Sequence, residues 1–217
     1  MATETEPRTP LSRERILQTA LELADEQGIE AVTMRKLGQV LGFEAMSLYN
    51  HVANKDDLLD GVLDLVLEES EPPSQEGDWD AAVRASAISV HDALRRHQWS
   101  CALLMHGRVR PARLRYMDSL LGRLRQAGFD ADTTYSVYHV LDSHIFGSAL
   151  WEMGYTLKAE DAERLAAAVM PLLDQFPYLK EHAEQHMSEG AHQEVSAFQL
   201  GLDLILDGLR DLRAAQG

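Results

Sequence analysis

The sequence predicts an all-α fold, and three observations carry that prediction. Apolar residues recur at three- and four-residue spacing through most of the 217-residue chain, the period of a helix with one buried face. No stretch alternates apolar and polar residues as a half-buried strand does. Glycines and prolines at Gly28, Gly42, Pro72, Pro73, Gly77, Pro111 and Gly128 fall between the periodic stretches, where helices stop and start.

In chain order, residues 1–11 hold two prolines among scattered Thr and Glu and read as a disordered arm. Ser12 is suited to cap a first helix whose Ile16, Leu17, Ala20, Leu21 and Ala24 form one apolar stripe, ended by Gly28. Ile29 and Val32 add apolar anchors. Thr33 is the N-cap of a second helix, with Leu37, Val40 and Leu41 at one-face spacing. Gly42 tolerates the positive φ of a sharp reversal before Phe43 anchors the next element. A short helix over Glu44 to Val52 then turns Leu48 and Val52 inward. Ala45, Met46, Ser47, Tyr49, Asn50 and His51 occupy its other side. These are small, polar or flat groups of the kind a major groove accommodates. Residues 12–53 thus form a three-helix bundle containing a helix-turn-helix.

Asn54 caps the following helix, with Asp57 three residues on as a variant capping box and Lys55 at the junction where phosphates would pass. Leu58, Leu59, Val62, Leu63, Leu65, Val66 and Leu67 make this helix too apolar to be wetted on a broad side. Residues 54–70 are therefore expected to connect two bodies. Residues 71–77, EPPSQEG, are a linker by composition.

Residues 78–217 form a second, wholly helical domain. Asp78 is suited to start a helix reaching about His97, with Val83, Ala87, Val90 and Leu94 on one side. A short apolar run spans Cys101 to Met105. Pro111 starts a helix carrying Leu114, Met117, Leu120, Leu121 and Leu124, and another runs from Asp132 or Thr133 to Gly154. A shorter helix is expected from Glu160 to about Leu173, and a final one from about His192 to Arg213.

Composition sets outer limits on function. A hydrophobic content of 45% argues against disorder. No apolar run approaches the ~20 residues of a membrane helix, and the opening MATETEPRTPLSRER lacks the apolar centre of a signal peptide. The single cysteine, Cys101, excludes an internal disulfide and a cysteine-built zinc site. These features predict a cytoplasmic protein with no membrane partner. No nucleophile, paired-carboxylate or cofactor motif is legible, so no enzyme activity and no cofactor are expected.

Specific motifs sharpen the reading. T-M-R-K-L-G from Thr33, L-G-F from Leu41, S-L-Y-N-H-V from Ser47 and N-K-D-D-L-L from Asn54 resemble the DNA-binding domain of the TetR family of transcriptional regulators. The resemblance implies that Arg35 and Lys36 touch the sugar-phosphate backbone, with Thr33 beside them at the cap. It also implies that Ala45, Met46, Ser47 and Asn50 face base edges, while Tyr49, His51 and Lys55 hold phosphates. Members resembling the tetracycline repressor itself carry Gln and Pro where this chain has Ala45 and Met46, so the operator sequence does not carry over.

The formal charge of −15 runs against the basic footprint usual for a DNA-binding protein. Placement resolves the conflict: Arg35, Lys36 and Lys55 cluster around the reading helix, and the acids are expected on faces turned away. An acidic body then weakens non-specific binding and leaves specificity to shape and base contacts.

The second domain resembles, more loosely, the ligand-binding domain of the same family, through F-Q-L-G-L-D-L-I-L-D-G-L from Phe198, the Arg110-Pro111 pair and the segment from Phe146-Gly147 to Trp151. The final helix carries Phe198, Leu202, Ile205, Leu206, Leu209 and Leu212 on a wide apolar face, with Gly201 and Gly208 offering close backbone approach. The resemblance implies that this helix and the one ending near Gly154 pair with their symmetry mates in a homodimer. An ordinary buried C-terminal helix is the alternative. A two-fold dimer also suits DNA, because two heads must meet major-groove turns ~34 to 36 Å apart.

Tyr135, Tyr138, His139, Asp142 and Phe146 share one helical face that mixes aromatic and polar groups, which suits a pocket for a small organic molecule. The resemblance implies a pocket formed by Ser86, Val90, Met105, His106, Arg110, Tyr138, Asp142, Phe146 and Trp151. The alternative is that Asp142 and His139 make hydrogen bonds in the core or across the dimer. Arg108, Arg110, Arg113 and Arg115 either attract an anionic effector or pair with the abundant acids. His182 and His186 have no third ligand near in sequence, so no metal site is expected. In tetracycline-binding members a His and a Glu help hold Mg²⁺. His106 and Glu152 are the candidates here, but Glu152 is one residue out of register beside Trp151, so tetracycline is not implied.

The expected function is a ligand-responsive transcriptional repressor that binds a palindromic operator as a homodimer. The rival is a helical small-molecule-binding protein or enzyme with a vestigial head.

Overall fold

The structure, a computed structural model, describes residues 10–105, 110–154, 164, 168–187 and 196–216, and no strand occurs among them. Three helices form the head: α1 (Arg13–Gln27), α2 (Met34–Leu41) and α3 (Ala45–Leu48). A connector, α4 (Lys55–Glu68), follows. The body holds α5 (Trp79–Arg96), α6 (Ser100–Met105), α7 (Pro111–Gln126), α8 (Ala131–Gly154), α9 (Pro177–Met187) and α10 (Ala197–Gln216). Single 3₁₀ turns cover Ile29–Ala31 and Met170–Gln175.

Local chemistry explains the head. The Ser12 hydroxyl accepts from the Arg15 N–H at 3.2 Å and starts α1. Ile16, Leu17, Ala20, Leu21 and Ala24 all bury against Leu37, Leu48, Val52, Leu58, Val62 and Val66. Thr33 caps α2 by accepting from Lys36 N–H, and Gly42 ends it at φ 76° in the left-handed region. One apolar expectation fails here: Val40 is 56% exposed. Leu37 and Leu41 on either side of it are buried.

The connector begins at Asn54, whose Oδ1 accepts from Asp57 N–H at 2.8 Å. Asp57 completes the cap one residue earlier than the capping box predicts. Its Oδ2 accepts from Ala53 N–H at 2.8 Å, while both carboxylate oxygens take Arg13. Leu58, Val62, Leu63, Val66 and Leu67 are buried, and α4 packs on α1 as well as on α5, α6 and α7.

Residues 71–77 form no helix, yet they are held in place. Ser86 Oγ donates to Glu71 O, Ser89 Oγ accepts from Glu71 N–H, and the buried Arg123 guanidinium donates to Gln75 O and Gly77 O. Asp78 stands at the N-cap of α5 without a capping bond, whereas Asp130 caps α8 by accepting from Thr133 N–H at 2.7 Å.

In the body, α8 runs between α5 and α10 and against α7. Val83, Ala87, Val90, Leu94, Leu120, Leu124, Phe129, Val137, Leu141, Ile145 and Leu202 form its core. Of the stripe expected on α7, Leu120 and Leu124 are buried but Leu114 is 49% exposed. Tyr116 and Ala112 take the inward side instead, because the helix start is pinned from α4. Most of the helix expected from Glu160 to Leu173 lies outside the described residues. Its described end forms the 3₁₀ turn at Met170–Gln175, with Leu173 buried. Helix α9 had no sequence expectation. No helix among the described residues is long and apolar enough to cross a membrane.

Candidate nucleic-acid interface and ligand cavity

Helix α3 is one turn long, and its continuation tightens. Tyr49, Asn50 and His51 N–H groups donate to carbonyls three residues back, before Val52 returns to Leu48 at 3.1 Å. Leu48 and Val52 are 0% and 1% exposed, which fixes the rotation of the segment. Met46 is then 75% exposed and Tyr49 44%; Asn50 is exposed, and Ala45, Ser47 and His51 are half-buried. Thr33, Arg35 and Lys55 are exposed and Lys36 is half-buried beside them. All ten predicted DNA-facing residues are therefore exposed or half-buried, none of them in the core.

Gly38 sets how closely α2 and α3 cross. A Cβ there would stand 2.8 Å from Phe43 O and 3.2 Å from Ala45 N, both backbone atoms that cannot step aside. No sequence signal marks it beyond a glycine inside a helical pattern.

One acid of the head and two of the connector are engaged. Asp57 is held by Arg13, which keeps its carboxyl at a pKa of about 2, below the ordinary 3.8. Asp25 meets His97 Nδ1 and Trp99 Nε1, both at 2.8 Å, and Asp60 accepts from Arg110 at 3.0 Å. Arg35, Lys36 and Lys55 make no ion pair among the described residues.

The ligand-binding set divides. Asp142 and Phe146 line a cavity of about 300 Å³ between α6, α7 and α8 together with Leu104, Arg113, Ser143 and Gly147, and Tyr138 is buried beside it. Arg113 pairs with Asp142, donates to Tyr138 Oη at 3.1 Å and lies 4.9 Å from the Phe146 ring centroid. Burial raises the Tyr138 pKa. The remaining residues are elsewhere. Ser86 fastens the 71–77 segment, Val90 is core, Arg110 turns to α4, and Trp151 is 68% exposed on the outer side of α8. His106 and Arg108 lie outside the described residues, as does the side chain of Met105. The face read across Tyr135, Tyr138, His139, Asp142 and Phe146 splits. Tyr135 and His139 pack on each other outside, and Tyr138, Asp142 and Phe146 point in.

The arginine run is paired with acids. Arg110 holds Asp60, Arg113 holds Asp142 and Arg115 holds Glu68. Glu152 is taken by Arg95 at 3.0 Å and stands 3.4 Å from His91. Among the described residues no cluster of His, Cys, Asp and Glu could hold a metal ion.

The dimer residues require correction. Phe198, Leu202, Leu206 and Leu209 are 8% exposed or less within a single protomer, packed into the body core, and Ile205 packs on its edge. Gly201 faces the chain's own His144, whose Nε2 meets Phe198 O at 2.9 Å. The apolar groups left outward on α10 are Leu200, Leu204 and Leu212, spaced four and eight residues apart, with Val140 and Trp151 outward on α8.

Residues 16–62 match the family of bacterial regulatory proteins, tetR family, and residues 71–213 match the tetracyclin repressor-like C-terminal domain. The chain belongs to the TetR family of transcriptional regulators. Its TetR relatives include the HTH-type transcriptional repressor DrrR1 of Streptomyces coeruleorubidus, 32% identical over 96% of this chain and 80% of that protein. The class C tetracycline repressor of Escherichia coli is 31% identical over 94% of this chain and 92% of that protein. The TetR-family protein ActR of Streptomyces coelicolor, in complex with actinorhodin, superposes with a TM-score of 0.74 at 29% identity. That match covers 96% of this chain and all of ActR. Membership places the protein among TetR transcriptional regulators with a ligand-binding type of C-terminal domain, and not among enzymes.

Proposed function

We propose that the protein is a homodimeric transcriptional repressor that binds a palindromic operator through the outer surface of α2 and α3. Occupation of the cavity between α6, α7 and α8 by a small molecule changes its affinity for that operator. The observation that carries this reading is the outward row from Ala45 to Asn50, set by the burial of Leu48 and Val52 and flanked by Arg35, Lys36 and Lys55. That ActR is found with actinorhodin supports a small-molecule effector.

Coupling has a physical route. On α4, Asp60, Asp64 and Glu68 face α7 at four-residue spacing. Asp60 takes Arg110, Asp64 takes the Ala112 N–H and Glu68 takes Arg115. Arg113, between them in the same turn of α7, faces the cavity. A ligand that moves this turn pulls on the connector and resets the separation of two heads. It shifts operator affinity by as much as its own affinity differs between the two states.

The second copy docks on α8 and α10 through Leu200, Leu204 and Leu212 with Val140 and Trp151, where open backbone at Gly147 and Gly208 leaves room for close approach.

A gel-shift titration of the full-length protein against its own upstream DNA tests the proposal. One complex of two chains per operator is expected, and Tyr49→Ala should weaken it. The same affinity for every fragment, unchanged by Tyr49→Ala, contradicts it.

A further inference from the structure

The operator-binding reading leaves open which base pairs are read, and the first turn of α3 narrows the choice. Positions 45 and 46 carry no hydrogen-bonding side chain. At about 100° per residue, Met46 lies about 200° round the helix from Leu48. Leu48 is 0% exposed, so Met46 faces almost directly away from the core. Its 75% exposure is the highest among the large apolar side chains described in the head, above Val40 at 56% and Tyr49 at 44%. A long, flexible thioether thus stands in water, while Arg35, Lys36 and Lys55 make no ion pair among the described residues and supply charge for phosphates.

Base edges in the major groove present ring nitrogens, carbonyl oxygens and exocyclic amines, and one apolar group, the C5 methyl of thymine. A thioether laid over a polar edge strips water from it and returns no more than a weak acceptor. Laid over the methyl, it takes apolar surface of both partners out of water. We infer that Met46 is a specificity-determining residue that reads an A·T base pair in each operator half-site through the C5 methyl of its thymine. This rests on the operator-binding reading and adds to it the identity of a base pair. Asn50, also exposed, carries the amide suited to hydrogen-bond a neighbouring base.

The test uses the full-length protein and a synthetic duplex of the segment of its own upstream DNA that it protects from nuclease. Symmetry-related thymines are replaced by deoxyuridine one pair at a time. Deoxyuridine still pairs with adenine and lacks only the C5 methyl. At one pair of positions the wild type should lose about fourfold in affinity per half-site, or about fifteenfold in all. Met46→Ala should bind the thymine duplex more weakly, and its own loss at that pair should fall below about twofold, with the effect of deoxyuridine elsewhere as in the wild type. Because Met46 is exposed, the variant should keep wild-type circular dichroism. Wild-type binding indifferent to deoxyuridine at every position would overturn the methyl contact and leave the repressor reading standing. A loss of the same size in Met46→Ala would overturn the assignment to Met46. A wild type that protects no segment would sink the repressor reading and this inference with it.

Discussion

Arg13, the first residue of α1, grips Asp57, on the first turn of α4, through hydrogen bonds of 2.7 and 2.8 Å. The same guanidinium donates to His51 O at 3.1 Å, and the same carboxylate accepts from Ala53 N–H. The end of the segment that follows α3 is thereby clamped between the first helix and the connector. Asp57 has a folded pKa of about 2 against an ordinary 3.8, lowered first by the Arg13 hydrogen bonds. A lowered carboxyl stabilises the fold above its unfolded pKa, so this contribution is full above about pH 4 and lost as pH falls toward 2. Titration of Asp57 followed by NMR should show that low value, and Arg13→Ala should return it toward 3.8. Both side chains are a third or more exposed, so solvent screening limits the stability change to about 1 kcal/mol.

Gly38 and Gly122 make a matched pair. Gly38→Ala drives a Cβ into Phe43 O and should destabilise the head by about 1–3 kcal/mol and weaken operator binding. At Gly122, also inside a helix, an added Cβ comes no nearer than 3.8 Å to Gln75 Oε1. Gly122→Ala should therefore stabilise the protein by up to about 1 kcal/mol. Thermal melts of the two variants check the opposite signs.

His97, 6% exposed, bridges head and body, with Nδ1 2.8 Å from Asp25 Oδ1 and Nε2 3.0 Å from Glu69 Oε1. His97→Ala removes the group between two carboxylates, one on α1 and one just past the end of α4. A loss of about 2–3 kcal/mol is expected. Hydrogen exchange should show α1 losing protection before α5 does.

On α10, neighbouring positions should behave oppositely. Leu204→Glu lies on the outward stripe and should yield a folded monomer by light scattering, with helical circular dichroism retained. Leu202→Glu buries a charge in the protomer core and should prevent folding.

The head is legible in the sequence because its signals are local. The Thr33 cap, the Gly42 reversal and the Leu48/Val52 pair each act within a few residues, and together they set which side chains face out. The body is less legible because its decisive contacts are distant in the chain. The apolar residues of α10 cover well over half its circumference. Periodicity alone cannot divide Phe198, Leu202, Leu206 and Leu209, which face the chain's own α5 and α8, from Leu200, Leu204 and Leu212, which face out. Arg113 reads as one cation in a run, and only its meeting with Asp142, 29 residues on, places it in the cavity.

The most direct test is the salt dependence of operator binding. Fluorescence anisotropy of the full-length protein on its upstream DNA should give a steep linear fall of log affinity with log salt. Replacing Lys55 with Ala should reduce that slope by about 2, one phosphate contact per head in a two-headed complex. A slope unchanged by Lys55→Ala, or no complex at low salt, would contradict a DNA-reading role for the surface around α3.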